Sequence, residues 1–322
     1  MSKEINTNLA LLGALSAAGA AVCFSVNDMA IKFLSGGYAL HQVVLTRSAI
    51  GLFFLLAFIV PFVGGYAALR TQRLGKHVIR GLFVVFSNMA FFLGIAALPL
   101  AEGVAIFFVS PLIITIFSVI FLKESVGARR WLAVVLGLVG VAIMLRPGSE
   151  AFQLAALLPI ASAFGYAGLH IMTRHIGKTE SSAALAFYIQ LTFIAVSGVV
   201  GLAVGDGRFA GSGDPSLEFL LRAWTMPSPR DWAILAVVGL TSACGGFLIG
   251  QAYKLSEAAL VAPFEYLSLV MAVIWGLVIF DERPDIVAML GIAFILFSGL
   301  FMIWREAQVR RGGAQSVPRY RR

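Results

Sequence analysis

The chain has 322 residues, of which 60% are hydrophobic and only 12% charged. That is about half the charge of an ordinary soluble domain, and it falls between apolar blocks of the roughly 20 residues that cross a bilayer. The longest polar connection, 205–231, is too short for an extramembrane catalytic domain. The net charge of +8 does not point to nucleic acid, because the basic residues sit in short connections and in the tail from Arg305 to Arg322, as the positive-inside rule expects.

Apolar blocks fall at 9–32, 42–63, 79–98, 102–122, 130–146, 153–173, 182–204, 232–252, 258–280 and 286–304. They predict ten transmembrane helices. The first block imitates a secretory signal with Ala18-Gly19-Ala20 as the cleavage site, but Lys3 is offset by Glu4 and the run from Leu9 to Ala30 is long enough to span. It is expected to be the first helix. Cys23 and Cys244 lie inside separate blocks and read as small apolar fillers rather than a disulfide or metal pair. The stripe Ala10, Ala14, Ala18 and the pair Gly246, Gly250 are expected at close helix contacts. In the long connection, Leu217 to Trp224 is expected to form an interfacial helix anchored by Trp224.

The chain repeats itself. LPLAEGVAIFFVSPLIITIFSVIFLKE (Leu98–Glu124) matches SEAALVAPFEYLSLVMAVIWGLVIFDE (Ser256–Glu282) at an offset of 158, so that Ala101 meets Ala259, Phe108 meets Tyr266, Ser110 meets Ser268 and Glu124 meets Glu282. At an offset of 142, Phe24 meets Tyr166, Asp28 meets His170 and Lys32 meets Arg174. Each half holds five spans, an odd number, so the halves are expected to be inverted relative to one another, as in many transporters. The predicted fold is therefore all-α and integral to the membrane, with repeats at 9–147 and 153–304 and a basic tail at 305–322. With the N-terminus placed in the cytoplasm, 17 of the 24 Lys and Arg fall on the cytoplasmic side. Both termini are expected there. The loop after span four is basic (Lys123, Arg129, Arg130), and its counterpart after span nine is net acidic (Asp281, Glu282, Arg283, Asp285).

These paired motifs, each ending in an acidic residue at a membrane edge and followed by a glycine-bearing span (Gly137 and Gly140; Gly291 and Gly299), resemble the drug/metabolite transporter superfamily in its EamA-type branch. The resemblance covers residues 9–304. Asn27-Asp28-x-x-x-Lys32 and Arg80-Gly81-Leu82 are similar to alphaproteobacterial members. The resemblance implies a site between spans one, three, four, six, eight and nine in a bacterial-type inner membrane. It also implies a small polar or amphipathic cargo: an amino acid, a nucleoside-like molecule, or a vitamin-like cofactor such as S-adenosylmethionine or riboflavin.

Polar groups in lipid are costly and mark candidate sites. Asp28 and Lys32 share a helix face near the outer surface. They read either as a gate or substrate contact, or as an ion pair snorkelling at the interface. Arg47 opens span two at the same level and either pairs with Asp28 or faces outer water. Glu265 lies about 10 Å into span nine at the helical rise of 1.5 Å, after Pro263, which frees a carbonyl and kinks a helix. It suits proton coupling or a cationic substrate group, against the alternative of a structural hydrogen bond to Tyr266 or a neighbouring helix. Its repeat partner is Phe107, and Pro111 is a second kink candidate. His170 reads as an interfacial histidine or a titrating group. Asn88, Tyr166, Gln190, Gln251 and Tyr253 are lining candidates or helix–helix hydrogen bonds, and Phe107, Phe108, Phe164 and Tyr266 either stack a flat substrate or pack the core.

Gly177-Lys178-Thr179 imitates the end of a phosphate loop, but Met172 stands where the first glycine is required. There is no HExxH, no GxSxG and no metal-ligand cysteine set. The expected function is secondary transport by alternating access, coupled to protons or a counter-solute. No cofactor, metal or catalytic residue is expected, and the assembly is expected to be a monomer, with a dimer as the alternative. The competing reading is an intramembrane enzyme acting on lipid, or a non-transport assembly factor.

Overall fold

The computed structural model describes residues 2–62, 64–123, 127–147, 153–176, 180–255 and 264–315, and among these the regular structure is entirely helical. In lipid every backbone group must be satisfied within its own segment, which favours helices. The first half comprises α1 (Ser2–Ser35), α2 (Leu40–Phe54), α3 (Leu74–Ala97), α4 (Leu100–Phe107), α5 (Ser110–Leu122) and α6 (Ala128–Leu145). The second comprises α7 (Leu157–Ile176), α8 (Ser182–Val204), a short α9 (Pro215–Leu221), α10 (Pro229–Leu255), α11 (Leu267–Ile279) and α12 (Ile286–Gln315). Seven described segments are long and apolar enough to cross a membrane, with α4 and α5 forming one of them. Three shorter apolar helices at 131–145, 267–279 and 286–301 complete the ten spans.

Local chemistry sets several ends. α1 runs unbroken through the block that imitates a signal sequence and stops before Gly36-Gly37. α2 loosens into a π turn at Leu55–Ile59 and a 3-10 turn at Val60–Phe62, next to Pro61, which supplies no N–H. Ser181 caps α8 by accepting the Ala184 N–H at 2.9 Å, and Asp214 caps α9 by accepting that of Leu217 at 2.9 Å. Lys123 and Asp281, at equivalent positions of the repeated motif, both take positive φ, 54° and 51°. The two repeats leave their fourth spans by the same left-handed turn.

The packing reveals the inverted repeat directly. α1 packs on α10 as α7 packs on α3; α2 meets α10 as α8 meets α3; α1 meets α11 as α7 meets α4 and α5. The remaining principal pairs, α2 with α8, α6 with α12 and α4 with α11, each join a span to its own counterpart. Exchanging span n for span n + 5 leaves these pairings unchanged, as a pseudo-two-fold axis between the halves requires, and an odd number of spans per half inverts the second relative to the first. α6 and α12 approach until a Cβ on Gly140 would lie 3.1 Å from the Gly291 carbonyl oxygen. The surface is correspondingly apolar: Phe62 is 85% exposed and Leu202 92%, as suits contact with lipid rather than water.

Of the expected helix-contact stripe, the side chain of Ala10 and Gly250 lie outside what the structure describes, and Ala14 and Ala18 are half-buried. The buried face of α1 carries Ala17, Ala20 and Ala21. Its close partner on α10 is Gly245, where a Cβ would meet Phe24 and Cys23, while the space beside Gly246 is open. A period of 3.6 drifts off any strict spacing of four over several turns, which moves the contact by one residue. Cys23 and Cys244 are both unbonded.

Candidate functional site

Span four is broken in its middle. α4 ends at Phe107, Phe108 and Val109 turn with ψ of 1° and −15°, and α5 restarts with Pro111 in its first turn, where its missing N–H leaves no bond unmade. Span nine breaks at the same repeat position, with helical backbone at Phe264 and Glu265, a turn at Tyr266 (ψ −11°), and α11 beginning at Leu267. Pro263, the expected cause, lies outside the described residues. Discontinuous helices deep in a bilayer are tolerated where the freed backbone is enclosed by protein.

At this crossing the two repeats meet ring to ring. Phe108 stacks on its own counterpart, Tyr266, with centroids 4.7 Å apart and planes 29° apart. Phe107 stands edge-on to Tyr166 at 5.3 Å and tilted to Phe91 at 5.2 Å, and Tyr166 is edge-on to His170 at 4.5 Å. Glu265 lies within electrostatic reach of both Tyr166 and Tyr266. The Tyr266 ring is buried and its hydroxyl makes no hydrogen bond among the described residues. It occupies space that only a glycine at position 299 leaves open, since a Cβ there would stand 1.6 Å from the oxygen. Five sequence candidates (Phe107, Phe108, Tyr166, Glu265 and Tyr266) thus converge, and His170 joins them through Tyr166. Phe164 does not: it packs on Phe117 at 5.9 Å and is 48% exposed, facing outward.

Lys32 does not pair with Asp28. Its ammonium is 2.8 Å from Glu282 at the far end of span nine, and it donates to the carbonyls of Ile95, at 2.9 Å, and Leu98 at the end of α3. Glu282 also accepts the Leu100 N–H at 2.7 Å, the first free N–H of α4. One ion pair therefore ties together α1, the α3–α4 junction and the end of α11. Beside it Arg146 donates to Asp285, which holds that carboxyl below the usual carboxylate range. Glu282 carried a signal in the sequence as the last residue of the repeated motif, but nothing there named its partner.

Arg47 neither pairs directly with Asp28 nor faces water. It is 3% exposed and donates to the side-chain carbonyls of Asn27 at 3.3 Å and Asn88 at 3.0 Å, with its guanidinium 5.0 Å from the Phe92 ring centre and 4.9 Å from that of Phe193. About two turns along α2 from its start at Leu40 are enough to bury it, because α8 and α10 pack against that helix. Asn27 in turn donates to the Val238 carbonyl of α10 at 2.9 Å. Gln190 sits against Gly51 of α2. Gln251 is partly buried on α10, 13 residues beyond Val238 and so about 20 Å from this cluster along the helix. The side chains of Arg174 and Tyr253, and residues Glu124 and Gly177 to Thr179, lie outside what the structure describes.

The long connection is a strap across the Lys32 face rather than a free interfacial helix. Phe219 of α9 is fully buried and Ser216 donates to the Leu93 carbonyl at 2.8 Å. The Trp224 N–H is accepted by His41, and Gln42 exchanges hydrogen bonds with the Thr225 backbone at 2.6 and 3.2 Å. On the opposite face, Arg80 is likewise buried, donating to Thr173 of α7 at 2.8 Å and to the Leu185 carbonyl of α8 at 3.0 Å. His77 lies 3.1 Å from Glu180, whose carboxyl this contact holds below its usual range.

The profile of the EamA-like transporter family matches residues 11–146 and again residues 153–304. The chain belongs to the EamA-like transporter family. Among its relatives, a protein named riboflavin transporter in Vibrio cholerae is 28% identical over 94% of this chain and 96% of its own length. One named S-adenosylmethionine uptake transporter in Rickettsia prowazekii is 29% identical over 88% and 90%. A pseudopaline exporter of Pseudomonas aeruginosa is 27% identical over 87% and 91%. A crystal structure superimposes with a TM-score of 0.60 at 16% identity, covering 95% of this chain and 99% of that one, which speaks for the fold alone. This EamA-like protein is thus a multi-pass membrane protein and a secondary transporter of a small metabolite.

Proposed function

We propose that this EamA-like transporter carries a small, flat, ring-bearing metabolite by alternating access between its two inverted halves. The cargo would be held where the two broken spans cross. The stack of Phe108 on Tyr266 carries this reading, because among the described residues it is the one place where equivalent residues of the two repeats touch ring to ring at helix breaks. A planar cargo of similar width can replace one ring against the other, and offset aromatic stacking adds about 0.5–1.5 kcal/mol beyond burial. Tyr166 and Phe107 form a second wall, and Glu265 supplies a carboxylate for a positive charge on the cargo or for a coupling proton. The names of the relatives, riboflavin and S-adenosylmethionine transporters, agree with a flat ring system as the common feature of the cargo.

The Lys32–Glu282 bridge is then the closure on one side of the site, with Asn27, Asp28, Arg47 and Asn88 forming the polar layer between it and the rings. The bias of Lys and Arg toward one side supports the Lys32 face as the outer one, with both termini in the cytoplasm of a bacterial-type inner membrane. The two repeats, 9–147 and 153–304, are the moving halves, and 305–322 is a basic cytoplasmic tail. Flux into proteoliposomes tests this. Labelled riboflavin and S-adenosylmethionine are offered to liposomes with the purified protein and without it. Saturable flux of at least one is expected, cut at least tenfold by Phe108→Ala or Tyr266→Ala. Flux of both at the protein-free rate, or flux indifferent to the ring substitutions, would overturn the assignment of the site.

A further inference from the structure

Asp28 lies seven residues before the end of α1, about 10 Å into the span. Ser25, Asp28 and Lys32 share one face of that helix. Ser25 accepts the Trp275 indole N–H of α11 at 2.8 Å, and Lys32 binds Glu282. The face carrying Asp28 therefore looks into the bundle. Among the described residues no hydrogen bond and no ion pair within 4.0 Å reaches the Asp28 carboxyl.

Among the described residues its one charged neighbour within electrostatic reach is Arg47 of α2. The guanidinium is bound to two neutral amide oxygens and two ring faces, while its Nε–H is buried without a partner. The other groups facing this region are the neutral Asn27 and Asn88 and the Val238 carbonyl. Lys32, on the same helix, is already satisfied by Glu282. Asp28 is partly buried and its carboxyl is unjoined, whereas the Arg47 guanidinium is buried without a counter-ion in contact, and a buried charge that lacks its partner costs several kcal/mol. An ionised carboxylate beside a guanidinium that has an idle N–H would be drawn to join it, so the unjoined arrangement fits a neutral carboxyl. Ring faces and amide oxygens can hold the lone cation, and a neutral Asp28 needs no counter-ion.

We propose that Asp28 and Arg47 form a proton-operated switch in which a proton and the tethered guanidinium compete for one carboxylate. In the arrangement described here Asp28 holds the proton and Arg47 is parked on Asn27 and Asn88. When the proton leaves to water on the open side, Arg47 swings from Asn88 to the Asp28 carboxylate and its idle Nε–H gains an acceptor. Asn27, already in contact with the guanidinium, is the pivot. The switch ties protonation to the distance between α1 and α3, because Arg47 bridges to Asn88 of α3 in one state only. It rests on the transport reading for its purpose, but not for its existence.

Infrared difference spectroscopy of the purified full-length protein in nanodiscs, titrated with acid and base alone, tests the switch without any cargo. The wild type is expected to show a protonated-carboxyl carbonyl band that disappears as the pH rises. Asp28→Asn should remove that band, and Glu265→Gln should leave it in place. Arg47→Gln should move its midpoint upward by at least one pH unit, since the competing cation is gone, while Arg47→Lys should restore most of the shift. A band that survives Asp28→Asn in the Glu265→Gln background, or a midpoint indifferent to Arg47→Gln, would overturn the proposal. Because the readout needs no transported molecule, failure here leaves the flux result standing, and absence of flux leaves this titration intact.

Discussion

Glu265 is the deepest acidic residue the sequence offers near a broken helix, and it lies within electrostatic reach of Tyr166 and Tyr266. Two roles remain chemically distinct. If it carries the coupling proton, removing its ability to titrate abolishes uphill movement but spares exchange, which needs no net proton transfer. If it pairs with a cationic part of the cargo, exchange falls as well. Glu265→Gln keeps size and most hydrogen bonding but cannot ionise. The expected outcome is loss of gradient-driven accumulation and a flattened pH profile, with counterflow of labelled cargo retained within a few fold. Accumulation at the wild-type level would make Glu265 a packing residue. At this scale the sequence was informative about which residues matter and poor on partners. Lys32, Arg47 and Glu282 were all visible as charges in or beside lipid. Pairing Lys32 with Glu282, 250 positions away, depends on how spans one and nine pack, and no local pattern encodes that. Helical spacing favoured Asp28 for Lys32 because only intrahelical neighbours can be read from one segment.

The breaks in spans four and nine show what a helix-scale reading can reach. Pro111 and the Phe108–Tyr266 alignment were legible because a proline and a repeat are both sequence objects. That the two breaks touch required the packing. Gly299 of α12 is the hidden component: its missing side chain is what admits the Tyr266 hydroxyl. Gly299→Ala should push that ring off Phe108 at a cost of about 1–3 kcal/mol, the usual range for overpacking. It should lower the thermal midpoint in detergent by several degrees and reduce flux with it. Adding Tyr266→Phe removes the oxygen the new methyl would meet, so the double variant should regain most of the lost stability. Equal midpoints for Gly299→Ala and wild type would show that the ring does not fill this space. The strap at 205–231 was underestimated for a related reason. Glycine, serine and proline signal a loop, and they do not reveal that Trp224 is bound by His41 and that Phe219 is fully buried.

Over the whole molecule, ten spans in two inverted halves were legible from hydropathy and an odd span count, and the exchange symmetry of the packing agrees with them. Inversion makes a topological prediction. A reporter fused after Arg310 should read as cytoplasmic and one inserted near Ser212 as external, and an external signal from the first would contradict the orientation. Alternating access requires that the Lys32 face open and close in every cycle. In a background with Cys23→Ser and Cys244→Ser, the pair Lys32→Cys and Glu282→Cys is joined by a bis-methanethiosulfonate spacer as long as the two side chains that make the 2.8 Å ion bridge, because directly bonded cysteines need Cα atoms within about 7 Å, and the link is broken by reduction. The measurement is cargo exchange in proteoliposomes before cross-linking, after it, and after reduction. Exchange is expected to fall at least tenfold on cross-linking and to recover when the link is reduced, whereas a cross-linked protein that exchanges as fast as its reduced form would contradict alternating access through this face.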